Sequence, residues 1–237
     1  MQGGQQLSRT CIVGAGCAGL AAARALLARG LDFELFEAGS DLGGNWTSGV
    51  YDSAHLISSR KTSGFPEFPM PESYPDFPSR LQMRDYLQTY AKHFDLRPHI
   101  TFGQEVTSIR ATGEPAAGGW LVKTANGAET AYDSIVIANG HLRERVVPEC
   151  LGSFSGKQIH SRDYRNVRDI AGQRVLVVGA GNSGCDLAAE AAFAGFDVTL
   201  SIRRGHWFVP KTLFGVPRGD LFIGKLPKLL QRLVLGG

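Results

Sequence analysis

The stretch that most constrains this chain is the apolar run Cys11-Ile12-Val13 breaking into Gly14-Ala15-Gly16-Cys17-Ala18-Gly19 and continuing into the Ala/Leu-rich segment Leu20 to Arg29. Such a sequence dictates a buried strand, a tight turn and a helix in that order. The three glycines have separate tasks: Gly14 permits the turn, Gly16 lets the backbone approach a pyrophosphate, and Gly19 lets the helix pack against the strand. Phosphates then rest on the helix amino terminus, whose first N–H groups have no partner within the helix.

Gly30 follows the helix as a terminating residue. Asp32 to Glu37 alternates polar and apolar side chains, as a strand does. Glu37 lies 18 residues beyond Gly19, where an acidic side chain can accept hydrogen bonds from a ribose. The plainer alternative is a solvated charge at a strand end. Gly43-Gly44-Asn45-Trp46 reads equally as a second place of close backbone approach or as an ordinary turn with an exposed indole.

The pattern returns 165 residues later. Arg174 to Val178 leads into Gly179-Ala180-Gly181-Asn182-Ser183-Gly184 and an Ala-rich helical segment through Ala194. Gly195 then matches Gly30, and Asp197 matches Asp32. At the position of Glu37 this second unit has Ile202, followed by Arg203 and Arg204. Arginine can pair with a 2′-phosphate that a carboxylate would repel. The first unit therefore suits an unphosphorylated adenosine ribose and the second suits NADP, unless Arg203 and Arg204 are a solvated strand-end pair.

Between the units, the Pro-rich segment Tyr51 to Pro78 excludes regular helix or central strand. Its interleaved Phe and Tyr favour a loop packed on the body. Ser79-Arg80-Leu81-Gln82 is a capping box, and Met83, Tyr86, Leu87, Tyr90, Ala91 and Phe94 form the inward stripe of the helix behind it. Val106 to Arg110 and Trp120 to Thr124 read as strands. Asn126-Gly127 signals a hairpin before Ala131-Tyr132, and Ser134 to Ala138 is a buried strand.

A net charge of +3 over 237 residues suggests neither nucleic acid nor an anionic membrane as partner. The apolar run Cys11 to Ala28 is interrupted by Gly14, Gly16, Gly19 and Arg24, so no membrane span is expected. Cys11, Cys17, Cys150 and Cys185 show no Cys-x-x-Cys spacing, which argues against a disulfide framework, a redox pair or a metal site and for a cytoplasmic location.

Two dinucleotide motifs on one chain imply electron transfer from one nucleotide to the other, with NADPH and a flavin as the natural pair. Phe154-Ser155-Gly156-Lys157-Gln158-Ile159-His160-Ser161-Arg162-Asp163-Tyr164 resembles the signature Phe-x-Gly-x-x-x-His-Ser-x-x-Tyr of the flavin-containing monooxygenases, relatives of the Baeyer–Villiger monooxygenases, which have Trp in place of that Tyr. Further matches are Gly43-Gly44-x-Trp46, the Phe-Pro loop, Ala138-Asn139-Gly140-His141 and Arg203-x-Gly205-x-Trp207, so the resemblance covers nearly all of residues 10 to 211. It implies an α/β fold with two Rossmann-like dinucleotide-binding domains, an FAD-binding domain over residues 1–150 and an incomplete NADPH-binding domain over 151–237. Gly14, Gly16, Gly19, Glu37, Gly44 and Trp46 would bind FAD. Gly179, Gly181, Asn182, Ser183, Gly184 and Arg203 would bind NADPH. O2 and a small organic molecule would be the substrates, the latter oxygenated at nitrogen or sulfur or as a ketone. A homo-oligomer is compatible with this reading, and no catalytic acid or base is assigned. In the family His160 couples domains; on its own it reads as a structural histidine.

Two departures stand out. The family pattern Tyr-x-Ser-x-x-x-Asn is met at Tyr51 and Ser53, but the Asn that holds the oxygenated flavin is replaced by Ile57, which can neither donate nor accept a hydrogen bond. Ser58 or Ser59 are the candidates to stand in for it; failing that, an oxidase or flavin reductase results. Only 33 residues follow Arg204, too few to complete a second βαβαβ sheet, so the expectation is a chain lacking the C-terminal part, with the apolar tail Leu226 to Leu235 short of packing partners. A catalytically inactive nucleotide-binding fragment is the third alternative.

Overall fold

The computed structural model describes residues 9–113, 118–142, 144–149, 152–205 and 207–222. Cys150 and the tail from Leu226 to Leu235 lie outside them. Two compact units divide the chain, one formed by Met1–Gly49 with Arg84–Val146 and the other by Val50–Met83 with Val147–Gly237. The chain passes from the first unit to the second after Val146, and Val50–Met83 groups with the second unit.

In the first unit β1 (Thr10–Val13), α1 (Cys17–Leu27) and β2 (Phe33–Phe36) form the expected βαβ. The helix begins two residues before Gly19, because the third glycine belongs to its first turn. Gly30 closes it with φ +64°, a left-handed conformation open to glycine at no steric cost. In the second unit lies α2 (Arg60–Ser63), a single turn inside the Pro-rich loop. The helix α3 (Arg80–His93) spans the division between units. Its capping box is reciprocal: the Ser79 N–H donates to Gln82 Oε1 at 2.9 Å and the Gln82 N–H to Ser79 Oγ at 3.3 Å. Tyr86, Leu87, Tyr90 and Ala91 from its stripe are buried in the first unit's core.

Beyond α3 comes β3 (Ile100–Thr101), then the antiparallel β4 (Val106–Thr112), β5 (Gly119–Thr124) and β6 (Glu129–Tyr132), and the returning β7 (Ser134–Ile137). The parallel sheet runs in the order β3-β2-β1-β7, and the meander β4-β5-β6 forms a sheet of its own. Gly127 takes φ +87° in the hairpin between β5 and β6, as the Asn-Gly pair requires. An antiparallel excursion followed by a return to the parallel sheet is thus realised.

The second unit carries β8 (Arg174–Val178), α4 (Asn182–Phe193) and β9 (Asp197–Ser201), with β8 and β9 paired in parallel. A short hairpin, β10 (Thr212–Leu213) and β11 (Val216–Pro217), precedes α5 (Arg218–Phe222). Parallel strands are ordinarily covered on both faces. Here Val175 and Val177 are half-buried while Leu176 and Val178 on the opposite face are exposed.

The capping box gives the first test. Ser79→Ala removes the oxygen that receives the Gln82 N–H, so chemical denaturation should show a loss of about 1 kcal/mol, and Ser79→Asp should recover most of it.

Candidate dinucleotide-binding sites

The two glycine turns are built alike. Gly14 has φ +100° and Gly179 φ +101°, so each chain reversal requires a residue without a Cβ. The Gly14 N–H donates to the Phe36 carbonyl at 2.8 Å, and the Gly179 N–H to that of Ser201 at 2.9 Å, which ties each turn to the carboxyl end of the neighbouring strand. A Cβ on Gly19 would lie 1.8 Å from the Gly14 carbonyl oxygen, and one on Gly184 would lie 2.0 Å from that of Gly179. Helix and turn therefore touch backbone to backbone in both units.

The middle glycine behaves differently. Gly16 and Gly181 are the N-caps of α1 and α4 with φ −79° and −73°, angles any residue can take. Among the described residues, a Cβ on Gly16 would meet only the Gly44 Cα at 3.9 Å, and one on Gly181 would meet nothing within 4 Å. The protein's own packing leaves these two positions open. Neither helix has a side-chain cap at its amino end, so its leading N–H groups are directed at that open space. An anionic phosphate fits such a cradle on both charge and hydrogen-bond grounds.

Around the first turn, Glu37 comes directly after β2, and its carboxylate accepts the Ala15 N–H and the Gly39 N–H, both at 2.7 Å. Each carboxylate oxygen retains a further acceptor site, so the group is fixed in place and still able to bind a hydroxyl. Gly44 (φ +57°) sits against Gly16, its would-be Cβ 3.2 Å from the Gly16 Cα, which makes the Gly43-Gly44 turn a place of close backbone approach. Asp41 holds this loop by accepting from Gln88 Nε2 at 2.8 Å and from Arg97 Nη1 at 3.1 Å. Trp46 stands in a π-helical turn over Asn45–Gly49, half-buried, with its side chain hydrogen-bonded to Cys17. The predicted first-site residues are therefore brought together around the open end of α1.

The second site gathers Gly179, Gly181, Asn182, Ser183 and Gly184 at the amino end of α4, while Arg203 lies two residues beyond β9, exposed beside Arg204. Asp186 and Glu190 on one face of α4, which sequence reasoning does not single out, are bonded to Tyr51 and Ser53 of the Tyr-x-Ser pattern. The Tyr51 hydroxyl donates to Asp186 Oδ2 at 2.8 Å, Ser53 Oγ donates to Glu190 Oε2 at 2.7 Å, and Ser183 also reaches the Tyr51 phenol. Burial, and then the bond to Asp186, push the Tyr51 phenol above its ordinary range. The only trace of this in the sequence is the three-and-four spacing of Ser183, Asp186 and Glu190, which places polar groups on a helix face that would otherwise be apolar.

His160 accepts the Arg162 N–H on Nδ1 at 3.1 Å, and its carbonyl receives the N–H groups of Asp163 and Tyr164. It organises the turn that delivers Tyr164 into a cluster with Tyr51 and Ala54. Ile57 is 57% exposed. Of its suggested substitutes, Ser59 is buried and engaged by Asp220 and Thr62, while exposed Ser58 is bonded to Ser63. The Ser59 hydroxyl is directed at Asp220, while Ser58 keeps hydrogen-bonding capacity beyond its bond to Ser63.

Comparison with known proteins agrees with this geometry. Flavin-containing monooxygenase 3 of Oryctolagus cuniculus is 34% identical over 241 residues, covering 94% of this chain and 45% of that protein. Among solved structures, the S-allyl-L-cysteine S-oxygenase of Allium sativum aligns with a TM-score of 0.75 and 28% identity over 88% of this chain and 54% of that one. OTEMO in complex with FAD and NADP aligns with a TM-score of 0.68 and 26% identity, over 81% and 38% of the respective chains. The chain thus spans about half the length of the curated relatives it matches. The model of the flavin-binding monooxygenase-like family matches residues 7–235, and the chain belongs to that family.

Proposed function

We propose that this chain is the dinucleotide-binding part of an NADPH- and FAD-dependent monooxygenase acting on a small organic molecule with a soft sulfur or nitrogen centre, or on a ketone. The observation that carries the reading is the pair of matched turns whose middle glycines face open space among the described residues, one bonded to a carboxylate and the other tied to the end of a strand that two arginines soon follow. FAD is assigned to the first, within residues 1–150: Gly14, Gly16 and Gly19 shape the cradle, Glu37 receives the adenosine ribose, and Gly44 and Trp46 line the approach. NADPH is assigned to the second, within residues 151–237: Gly179, Gly181, Asn182, Ser183 and Gly184 hold the pyrophosphate and Arg203 the 2′-phosphate. When bound, the flavin supplies the redox chemistry: two electrons from NADPH reduce O2 so that one oxygen atom enters the substrate and the other leaves as water. The protein's part is to bind and orient the nucleotides and to exclude water. The free thiols of Cys11, Cys17 and Cys185 support a reducing, cytoplasmic setting, and none of the described helices is long and apolar enough to cross a membrane.

A second reading is favoured by one observation. Ile57 offers no hydrogen bond where the family pattern has an amide, and the Ser59 hydroxyl is bonded to Asp220; without such a donor or acceptor beside a bound flavin, NADPH electrons would reduce O2 to hydrogen peroxide. That describes an NADPH oxidase.

Three measurements test these assignments. Gly16→Ala and Gly181→Ala should each keep thermal stability to within about 1 kcal/mol, yet weaken FAD and NADPH binding respectively by about tenfold or more, as expected when a phosphate loses its close backbone approach; unchanged affinities would sink the assignment. Arg203→Ala should reduce the preference for NADPH over NADH by about tenfold, the worth of one charge-assisted contact. In the presence of NADPH and O2, peroxide formed in step with NADPH consumed identifies the oxidase, and Ile57→Asn should then lower the peroxide yield and raise that of oxygenated thioether. Failure of the purified chain to retain any flavin would overturn both enzymatic readings.

A further inference from the structure

α4 is an unusual phosphate-binding helix in its charge. Its sequence, Asn-Ser-Gly-Cys-Asp-Leu-Ala-Ala-Glu-Ala-Ala-Phe, has two carboxylates and no basic residue. Asp186 and Glu190 are four apart, on one face and of like sign, which weakens a helix. Asp186 is also only one turn from the residues that would meet the nucleotide phosphates, where a free carboxylate subtracts from the positive helix end.

Both acids are tied back by hydroxyl donors from one short segment. Tyr51 donates to Asp186 at 2.8 Å and Ser53 to Glu190 at 2.7 Å, while Ser183 also contacts the Tyr51 phenol. The donors come from a rigid support. The Asp52 N–H donates to the Arg165 carbonyl at 2.8 Å, the Asp52 carboxylate accepts from Arg80 and Asn166 at 2.8 Å each, and the Arg80 N–H donates to the Ala54 carbonyl at 2.8 Å. Tyr51 and Tyr164 meet edge to face with centroids 6.5 Å apart, and both are buried. A phenol held this firmly can impose a position on the carboxylate it contacts.

We propose that Tyr51 is a positioning residue for the second dinucleotide site: its hydroxyl holds the Asp186 carboxylate and the Ser183 side chain so that the amino end of α4 meets the nucleotide phosphates with the neighbouring negative charge drawn away. Ser53 performs the same service for Glu190 a turn further on. The inference rests on the assignment of NADPH to α4 and adds to it a device that tunes the helix terminus from outside the glycine motif.

The experiment is calorimetric titration of NADPH into the full 237-residue chain and its variants at two salt concentrations. Tyr51→Phe should weaken binding by about fivefold at low salt, the scale of one nearby charge at surface dielectric, and the loss should shrink at high salt because it is electrostatic. Adding Asp186→Asn to that variant should restore affinity to about the native value, since the charge to be held is then gone. Native affinity in Tyr51→Phe, or a loss that neither salt nor Asp186→Asn relieves, would overturn the proposal while leaving the NADPH assignment intact. Should Tyr51→Phe fail to fold, Asp186→Asn alone decides: binding about as tight as native supports the proposal, and binding clearly tighter or weaker than native overturns it. No binding of NADPH to the native chain would overturn the assignment and the proposal together.

Discussion

The contact on which both halves of this molecule depend is the approach of a helix to its own preceding turn, backbone against backbone. Gly19 faces the Gly14 carbonyl and Gly184 faces that of Gly179 at separations that exclude any Cβ. Because of that contact only a three-residue turn separates each strand from its helix, and no side chain caps the helix. Uncapped N–H groups are normally a liability met by water or a side chain. Placing them at the end of a parallel strand, beside a glycine with open space over its Cα, converts the liability into an anion cradle.

Two turns of one design differ in the residues at the end of the second strand of each unit. At Glu37 the carboxylate is oriented by two backbone donors, which fixes its direction and leaves acceptor capacity for a ribose hydroxyl. At the equivalent place in the second unit an apolar Ile202 gives way to exposed Arg203 and Arg204. A fixed acceptor suits a neutral diol, and exposed guanidinium groups suit a doubly charged phosphate. On the proposed assignment, selectivity would come from these strand ends, outside the glycine motif itself.

Much of this was legible in the residues because the signals are local. The positive φ of Gly14, Gly30, Gly127 and Gly179 comes from turn chemistry, and the capping box at Ser79 and Gln82 is written in four consecutive residues. β3, two residues long, was not legible, since Ile100–Thr101 is too short to show alternation and is a strand only through its pairing with β2. The π-helical turn at Asn45–Gly49 has no periodic signature either. The grouping of Val50–Met83 with the second unit was hidden for a different reason: it rests on pairs such as Tyr51 with Asp186, 135 residues apart, and single long-range hydrogen bonds leave no pattern in sequence.

Those pairs also give the Phe-x-Gly-x-x-x-His-Ser-x-x-Tyr segment a physical role. The turn organised by His160 delivers Tyr164 beside Tyr51, the Arg165 carbonyl receives the Asp52 N–H, and Asn166 donates to the Asp52 carboxylate. Residues 50 to 54 are consequently fastened through Tyr51, Asp52 and Ala54, whereas Ile57, three residues further on, is exposed. A segment pinned so closely at its start fixes where position 57 begins its path, so the chemistry of that position is set by its side chain rather than by freedom of the backbone leading to it. The exchange of an amide for an aliphatic side chain at 57 therefore alters what the protein can hold there without altering the frame that presents it.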